Sequence, residues 1–280
     1  MSPQISVMVH TPAHSGLGGA LTYESDTPHA PGTLVRVPLG NRELLGVVWD
    51  NAATSTSDAP PNPLQLRAVA SVLDGIAPLS MQWRQLVHFA ASYYQRSAGE
   101  VALAALPNQL RELSTEQWAR RLKRKPQTPP ANDYAAPHIP AATDEQAQAL
   151  ANIATHKGPF LLFGNTGSGK TEVYLRAAQA VLERDPHAQI LVMVPEINLT
   201  PQLEERFRAR FCPQWGGDCL VAMHSSLTPA QRLKNWLAAH SGEARIVLGT
   251  RMAVFASMPH LQLIVVDEEH DPSYKQQEGA

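Results

Sequence analysis

The sequence predicts an α/β fold built on a parallel β-sheet and preceded by a small β-rich domain, and three observations support this prediction. From Thr143 onward, short apolar runs alternate with segments of helical periodicity, as in strands joined by crossover helices. Residues 164–171 read Gly-Asn-Thr-Gly-Ser-Gly-Lys-Thr, the pattern G-x-x-x-x-G-K-T, placed between an apolar run and a helix. Before about residue 108, short apolar runs are separated by Gly, Pro and Asp, which is typical of a small β-domain.

The first domain is expected to span residues 1–108. Its predicted strands are Ile5–Val9, Leu34–Val37, Leu44–Trp49 and Leu66–Leu73. A helix is predicted to follow them, and its apolar and aromatic positions are Met81, Leu86, Phe89, Ala90, Tyr93 and Tyr94. We interpret these positions as core packing rather than as a binding surface.

Residues 109–141 are predicted to form a basic segment followed by a linker rich in Pro and Ala. The basic residues around Trp118 are Arg111, Arg120, Arg121, Lys123, Arg124 and Lys125. They either contact nucleic-acid phosphates or form the solvated end of a helix that leads into the linker. Pro126–Pro140 is expected to be extended.

The second domain is expected to span residues 142–280 and to contain the parallel sheet. Its predicted strands are Pro159–Phe163, Gln189–Val194, Cys219–Ala222, Arg245–Leu248 and Leu261–Val266. Its predicted helices are Lys170–Arg184, Pro201–Phe211, Pro229–His240 and Arg251–Phe255. This order predicts helices on both faces of the sheet.

The glycine-rich loop predicts a site for a nucleoside triphosphate. Glycines let backbone N–H groups point inward at phosphate oxygens, and the helix that follows adds the positive end of its dipole. The predicted nucleotide-binding residues are Gly164, Asn165, Thr166, Gly167, Ser168, Gly169, Lys170 and Thr171. Lys170 is expected to reach the β- and γ-phosphates as a catalytic residue, and the Thr171 hydroxyl to bind Mg²⁺.

Two carboxylates are predicted to complete this site. The apolar run Leu261–Val266 ends at Asp267 and Glu268, and strand ends line the ligand crevice of α/β sheets. Asp267 is expected to hold Mg²⁺ through water, and Glu268 to act as general base on the attacking water. A base for water disfavours a phosphate-loop kinase of a small metabolite, which has no need to activate water.

Composition limits the remaining possibilities. The 280 residues suggest about two domains, and 44% hydrophobic and 17% charged residues are an ordinary globular balance. A net charge of −2 gives no global field that attracts nucleic acid. The C-x6-C spacing of Cys212 and Cys219 matches no common zinc or redox pattern, so both are expected to be reduced thiols. Without an apolar run of about 18 residues or a signal peptide, we expect a cytoplasmic protein with no membrane partner.

Further strings carry a resemblance to a known family. They are Met193–Gln202, Met223–Leu227 and Gly249–Phe255, with Gly164–Thr171 and Asp267–Gly279. Together they closely resemble the PriA family of superfamily 2 DNA helicases, which act in bacterial replication restart. The resemblance covers about residues 143–279 and, more weakly, residues 1–107. It implies a RecA-like lobe, 3′-to-5′ unwinding driven by ATP and Mg²⁺, and forked or single-stranded DNA, primosome proteins and single-strand-binding protein as partners.

The resemblance also implies residue roles. Gln146 corresponds to a position near the adenine, although Thr143–Gln146 also has the pattern of a helix capping box. The residues expected to contact the DNA strand are Thr200, Gln202, Thr250 and Arg251. The residues expected to form a pocket for a DNA 3′ end are Tyr23, Gly40 and Arg67. Thr22 stands where the family has an acidic residue, which puts recognition of the 3′-hydroxyl in question. His270 is expected to couple nucleotide state to DNA binding, and His224 to be structural.

The sequence departs from the family in its extent. The family usually has a winged-helix domain where this chain has the linker, and the chain stops at Ala280, inside the family's aromatic loop. The second motor lobe, the arginine finger and the zinc-binding cysteines are expected only in a missing C-terminal part. We therefore expect an N-terminal portion of a PriA-like helicase that hydrolyses ATP weakly or not at all alone. The alternative is a non-catalytic module that binds nucleotide and forked DNA.

Overall fold

The computed structural model describes residues 3–11, 19–49, 66–122, 139–165 and 167–275. The described chain forms two packed units, which we call the N-terminal unit (residues 3–122) and the sheet unit (residues 139–275). A small β-rich region followed by a parallel sheet with helices was predicted, and the fold class is confirmed. None of the described helices combines the length and the apolar character that crossing a membrane requires.

The N-terminal unit is built on an antiparallel five-stranded sheet of order β2-β1-β4-β3-β5. The strands are β1 (Gln4–Val9), β2 (Leu21–Glu24), β3 (Leu34–Leu39), β4 (Arg42–Val48) and β5 (Ser71–Val72). Neighbouring side chains of β3 lie on opposite faces of the sheet. Leu34 packs against the helices, and Val35 packs in a second cluster on the other face. The strand predicted over 66–73 is limited to β5 and a bridge at Ala68.

Four helices pack against this sheet: α1 (Met81–Tyr93), α2 (Ala98–Ala105), α3 (Asn108–Glu112) and α4 (Thr115–Leu122). The segment predicted as a basic linker from residue 109 is therefore helical up to Leu122. It belongs to the N-terminal unit because Leu110 and Trp118 are buried in its core, and the Trp118 indole donates to the Asp74 carbonyl at 2.8 Å. The predicted basic residues Lys123–Lys125 and most of the Pro/Ala-rich stretch lie outside the described residues.

The core prediction for α1 was wrong for four side chains. Met81, Phe89, Tyr93 and Tyr94 are 55–70% exposed. The core-facing stripe of α1 is instead formed by Trp83, Arg84, Val87, Ala90 and Ala91. Since only one stripe of a helix can face the sheet, the remaining aromatic residues lie on the outer face, where Phe89 and Tyr93 stack one turn apart.

The sheet unit contains a parallel four-stranded sheet of order β7-β8-β6-β9. Its strands are β6 (Gln189–Met193), β7 (Leu220–Met223), β8 (Ile246–Gly249) and β9 (Leu261–Val266). Its helices are α5 (Asp144–Thr155), α6 (Lys170–Arg184), α7 (Pro201–Trp215) and α8 (Pro229–Ser241). The predicted fourth helix is a 3₁₀ segment, Arg251–Phe255.

Both faces of the parallel sheet are covered near β6, as the continuous apolar sequence of this strand predicts. Ile190 and Val192 pack with buried residues of α6 and α7. Leu191 and Met193 pack on the opposite face, with Ala239 of α8 and Ala253 of the 3₁₀ segment. Cys212 and Cys219 are buried free thiols with sulfur atoms 4.0 Å apart.

The predicted strand Pro159–Phe163 is not formed, which is a correction to the sequence analysis. Phe160, Leu161 and Phe163 are 46%, 79% and 90% exposed. A strand needs a neighbour for its backbone hydrogen bonds, and among the described strands none pairs with this run. The outer edge of β9 is also unpaired within the described residues, and its Ile264 and Val266 are 52% and 44% exposed.

The two units share a continuous core. Leu233 and Trp236 of α8 pack in the same cluster as Leu79 and Trp83 of the N-terminal unit. Two hydrogen bonds join the units as well: the Trp83 indole donates to the Phe255 carbonyl at 2.9 Å, and His240 Nε2 lies 2.8 Å from the Ala77 carbonyl oxygen. The contact between the two units therefore combines apolar packing with specific hydrogen bonds.

His240 is expected to make stability depend on pH. Burial lowers the pKa of His240 below its ordinary value of 6.5, against a smaller opposing effect of the bond to Ala77. Because the folded chain binds this proton less tightly than the unfolded chain, the stabilisation is present above about pH 6.5 and is lost on acidification. His240→Gln should cost about 1–2 kcal/mol at pH 8 and less at pH 5.5.

Thermal unfolding between pH 5.5 and pH 8 tests this expectation. His88→Gln, an exposed position on α1, is the control and should follow the wild-type profile. A His240→Gln deficit that stays constant over this pH range would contradict the role of the neutral imidazole.

Candidate functional site

The glycine-rich loop lies between residue 163 and α6, and its backbone has the conformation that glycine favours. Gly169 is the N-cap of α6 with φ of 85°, a left-handed conformation. A Cβ on Gly169 would lie 2.4 Å from the Gln146 side-chain nitrogen, so this position is closed to larger residues unless Gln146 moves. Gly164, Asn165 and Ser168 are also described, whereas the predicted binding residue Thr166 lies outside the described residues.

Gln146 lies against this loop, where its side-chain N–H donates to the Gly169 carbonyl at 3.4 Å. The same residue forms a capping box with Thr143 at the start of α5. The two interpretations of Thr143–Gln146 are therefore compatible, because the capping geometry holds the Gln146 amide next to the loop.

Lys170 begins α6 and folds back over the loop. Its ammonium group donates to the carbonyl oxygens of Gly164 at 2.7 Å and of Asn165 at 3.2 Å. The Ser168 N–H also donates to the Asn165 carbonyl at 3.1 Å, which closes the loop into a tight turn. A cation held over a turn at a helix N-terminus is suited to a polyphosphate anion.

Asp267 follows β9 and lies near the start of α6. Burial raises the pKa of its carboxyl group, and so does the neighbouring Glu268 charge. The Tyr174 hydroxyl, which donates to Asp267 Oδ2 at 3.3 Å, the Glu268 N–H and the Lys170 charge oppose this rise. A half-buried carboxylate opposite a lysine is suited to a divalent cation, which would remove the remaining penalty of its burial.

Tyr174 is a site residue that the sequence analysis missed. Its hydroxyl donates to Asp267, one of the predicted metal ligands, while burial raises its pKa above the usual range and the Thr171 side chain lowers it. The ring lies 6.3 Å from the Phe207 ring in a stacked arrangement. The signal was the spacing, because positions 171 and 174 share one face of a helix.

Tyr174→Phe is expected to weaken Mg²⁺-dependent ATP binding by about 5–10-fold, since one hydrogen bond to a charged group is lost. The pKa of Asp267 should rise further, because the Tyr174 hydroxyl lowers it. The lower pH limit of Mg²⁺-dependent ATP binding should therefore move upward.

Nucleotide titrations at several pH values measure both effects. Tyr93→Phe, which removes an exposed hydroxyl on α1, is the control. If Tyr174→Phe and Tyr93→Phe show the same ATP affinity and the same pH limit, Tyr174 has no part in positioning Asp267.

Glu268 follows Asp267 in a left-handed conformation, with φ of 47°. Its N–H donates to Asp267 Oδ1 at 3.1 Å, so the turn aligns the two acidic residues. His270 Nε2 lies 3.7 Å from Glu268 Oε2, and its side chain is 77% exposed. The Tyr274 hydroxyl donates to the Asp267 carbonyl at 2.8 Å, which folds the following segment back over the strand end.

The residues predicted to contact the DNA strand lie at the carboxyl ends of the strands or at helix starts. Thr200 caps α7 by accepting from the Leu203 N–H, and Gln202 is exposed in its first turn. The Thr250 N–H donates to the Met223 carbonyl at 3.1 Å, which joins the ends of β7 and β8. Arg251 Nη1 lies 3.5 Å from the Ser273 carbonyl oxygen.

His224, predicted to be structural, has its Nδ1 atom 3.0 Å from the Ser226 hydroxyl oxygen.

The three residues predicted for a DNA-end pocket lie together in the N-terminal unit. The Tyr23 hydroxyl donates to the Pro38 carbonyl at 3.2 Å, and Arg67 Nη1 donates to the Gly40 carbonyl at 2.6 Å. Burial raises the pKa of Tyr23, and the Arg67 charge partly opposes this. Thr22, at the position where an acidic residue was expected, is exposed beside them.

A phosphate loop beside an acidic strand end on a parallel sheet defines the class of P-loop nucleotide-binding proteins. Residues 143–279 match the DEAD/DEAH box helicase family, and residues 6–107 match the 3′DNA-binding domain (3′BD) of PriA. The chain belongs to the PriA family of replication restart proteins.

Three replication restart proteins PriA illustrate the similarity. The protein of Haemophilus influenzae is 33% identical over 89% of this chain and 42% of its own length. The protein of Treponema pallidum is 31% identical over 98% of this chain and 40% of its own length. The protein of Bacillus subtilis is 44% identical over 49% of this chain and 17% of its own length. The chain thus spans about two fifths of the length of the first two relatives.

Proposed function

We propose that this chain is the DNA-end-binding and ATP-binding part of an ATP-dependent 3′-to-5′ DNA helicase of replication restart. The observation that carries the proposal is that Lys170 lies over the glycine-rich loop while Asp267, bonded to Tyr174 of α6, lies close enough for the Lys170 charge to lower its pKa. Membership of a family with a helicase domain and a 3′DNA-binding domain supports it. Residues 1–108 would supply the DNA-end site and residues 142–280 the first motor lobe.

The residues of this site fit Mg·ATP. Lys170 and the N–H groups of the loop would hold the phosphates, while Thr171 and Asp267 would hold the metal. When bound, ATP supplies the free energy of its hydrolysis. Glu268, fixed by its own N–H on Asp267, is the residue we assign to accept a proton from water.

DNA is the proposed macromolecular partner. Arg67, exposed beside Gly40, offers charge for the phosphate that precedes a 3′-terminal nucleotide, and Tyr23 packs in the core close to it. Thr200, Gln202, Thr250 and Arg251 would contact a single strand across the sheet unit. Primosome proteins, single-strand-binding protein and a cytoplasmic location belong to the same proposal.

A second candidate is a module that binds nucleotide and forked DNA without turnover. It is favoured by one observation: the described residues contain one parallel sheet with a phosphate loop and one acidic strand end. Steady-state ATP hydrolysis by the purified chain, with and without forked DNA, decides between the candidates. Turnover stimulated by DNA excludes the module, and binding of both ligands without turnover favours it.

A further inference from the structure

An interdomain cleft lies between the α2–α3 turn of the N-terminal unit and the carboxyl ends of β6, β7 and β8. It has a volume of about 330 Å³, within the range of small-molecule and cofactor pockets. Residues 104–108 form one wall, and Met223–Ser225 and Thr250–Ala253 form much of the other. The cleft is distinct from the phosphate loop, since none of the described residues between 164 and 171 lines it.

Two arginines give the interdomain cleft a positive character. Arg232 Nη2 donates to the Ser225 carbonyl at 3.1 Å, and Arg251 Nη1 lies 3.5 Å from the Ser273 carbonyl oxygen. Among the described residues neither guanidinium forms a salt bridge with a carboxylate. Among the described lining residues the one carboxylate is Glu196, and the Ser225 hydroxyl donates a hydrogen bond to it. Most donors of both arginines therefore remain available to an anion.

Part of the remaining wall is apolar, and polar side chains line the rest: Asn108, His224, Ser225, Thr250 and Ser273. Leu106, Pro107, Met252 and Phe255 contribute carbon surface from both units. Trp236 also lines the cleft, and its buried indole N–H has no hydrogen-bond partner among the described residues. The cleft thus suits a ligand that combines a negative charge with a flat group of mixed polar and apolar character.

We propose that the interdomain cleft holds one unpaired nucleotide of a bound single DNA strand, with its phosphate on Arg232 and Arg251 and its base against the apolar wall. The inference rests on the proposed function, because it requires that a single strand crosses the sheet unit. It adds Arg232 and the wall of the N-terminal unit to the DNA site. One bound nucleotide would then touch both units at once.

The first test is the salt dependence of DNA affinity. Arg232→Ala should raise the Kd for a labelled 20-nucleotide oligothymidine about tenfold and lower the slope of log K against log salt by about 0.7, the value for one phosphate contact. Arg184→Ala removes the same charge from an exposed position at the far end of α6 and is the control. Equal slopes for Arg232→Ala and wild type would overturn the proposal.

The second test locates the base directly. An oligonucleotide that carries 5-iodouracil is irradiated on the wild-type chain, and the crosslinked peptides are identified. Crosslinks to Met252, Phe255 or Trp236 support the proposal, and crosslinks confined to other surfaces overturn it. A parallel titration with free thymidine monophosphate separates a nucleotide within a strand from a free nucleotide: tight binding of the monophosphate alone would overturn the DNA assignment.

The outcomes also separate this inference from the proposed function. A wild-type chain that binds neither ATP nor single strands would refute the proposed function. A wild-type chain that binds both, with no effect of Arg232→Ala and no crosslink in the interdomain cleft, refutes the cleft assignment alone.

Discussion

Replacing Lys170 with alanine is expected to weaken Mg·ATP binding by the chain about 100-fold and to abolish any function that depends on the nucleotide. The ammonium group lies over the loop on the carbonyl oxygens of Gly164 and Asn165, where it can transfer its hydrogen bonds to phosphate oxygens. Loss of charge-assisted hydrogen bonds to a buried anion has an effect of this size. The fold should survive, because the Lys170 side chain bonds only to its own loop among the described residues.

Titration with a fluorescent ATP analogue measures the Lys170→Ala effect, and thermal unfolding without nucleotide verifies that the variant is folded. Lys234→Ala is the control, since Lys234 is an exposed lysine on α8. Nucleotide affinity of Lys170→Ala within a factor of two of the control would defeat the assignment of the loop.

Replacing Glu268 with glutamine is expected to separate binding from turnover. ATP affinity should stay within about threefold of wild type, while hydrolysis falls by about 10²–10⁴-fold, the usual contribution of a general base. Glutamine keeps the size of the side chain and the backbone N–H that holds Asp267, but it cannot accept a proton from water. The contrast with Lys170→Ala, which loses binding itself, distinguishes the two roles.

Single-turnover and steady-state hydrolysis in the presence of forked DNA test the Glu268 assignment. Glu243→Gln, at an exposed position in the turn after α8, is the control. Wild-type turnover that persists in Glu268→Gln would assign the base to another residue. A wild-type chain that binds ATP and DNA without measurable turnover would instead favour the non-catalytic module.

The parallel sheet could be predicted closely from the sequence. The predicted range of the strand before Asp267 matches β9, and the predicted range of the helix after the loop matches α6. Both could be predicted because the signals are local. The sequence of β9 is a mostly apolar run that stops at Asp267, and a glycine in a left-handed conformation determines where α6 begins.

Other elements could not be predicted because they depend on distant partners. Pro159–Phe163 has the composition of a buried strand but is exposed, since strand formation requires a neighbour that composition does not report. Conversely, Leu110 and Trp118 lie in a segment predicted to be a linker, yet they fill a core that also contains residues distant in the sequence, such as Leu34 and Trp236. The four exposed side chains predicted to be in the core of the helix show the same limit. Apolar periodicity predicts that one face of the helix is buried, but which face packs against the sheet depends on the rest of the fold.

The candidate site shows the same division. The loop was predicted from its glycine-rich motif, and Asp267 from its position at the end of an apolar strand. Tyr174 could be identified only from the structure, in which α6 lies against the end of β9. The grouping of Tyr23, Gly40 and Arg67 also depends on the strand register of the N-terminal unit, although the family resemblance had named all three.

The hydrogen bond from Trp83 to the Phe255 carbonyl gives the molecule a mechanical property. Phe255 is the last residue of the short 3₁₀ segment that begins at Arg251, so α1 is attached to the segment we assign to strand contact. A rotation of the N-terminal unit must either carry Arg251 along or break this bond and unpack Trp236. Force applied at the proposed DNA-end pocket would thus be transmitted, through α1, to the 3₁₀ segment that we propose contacts the strand.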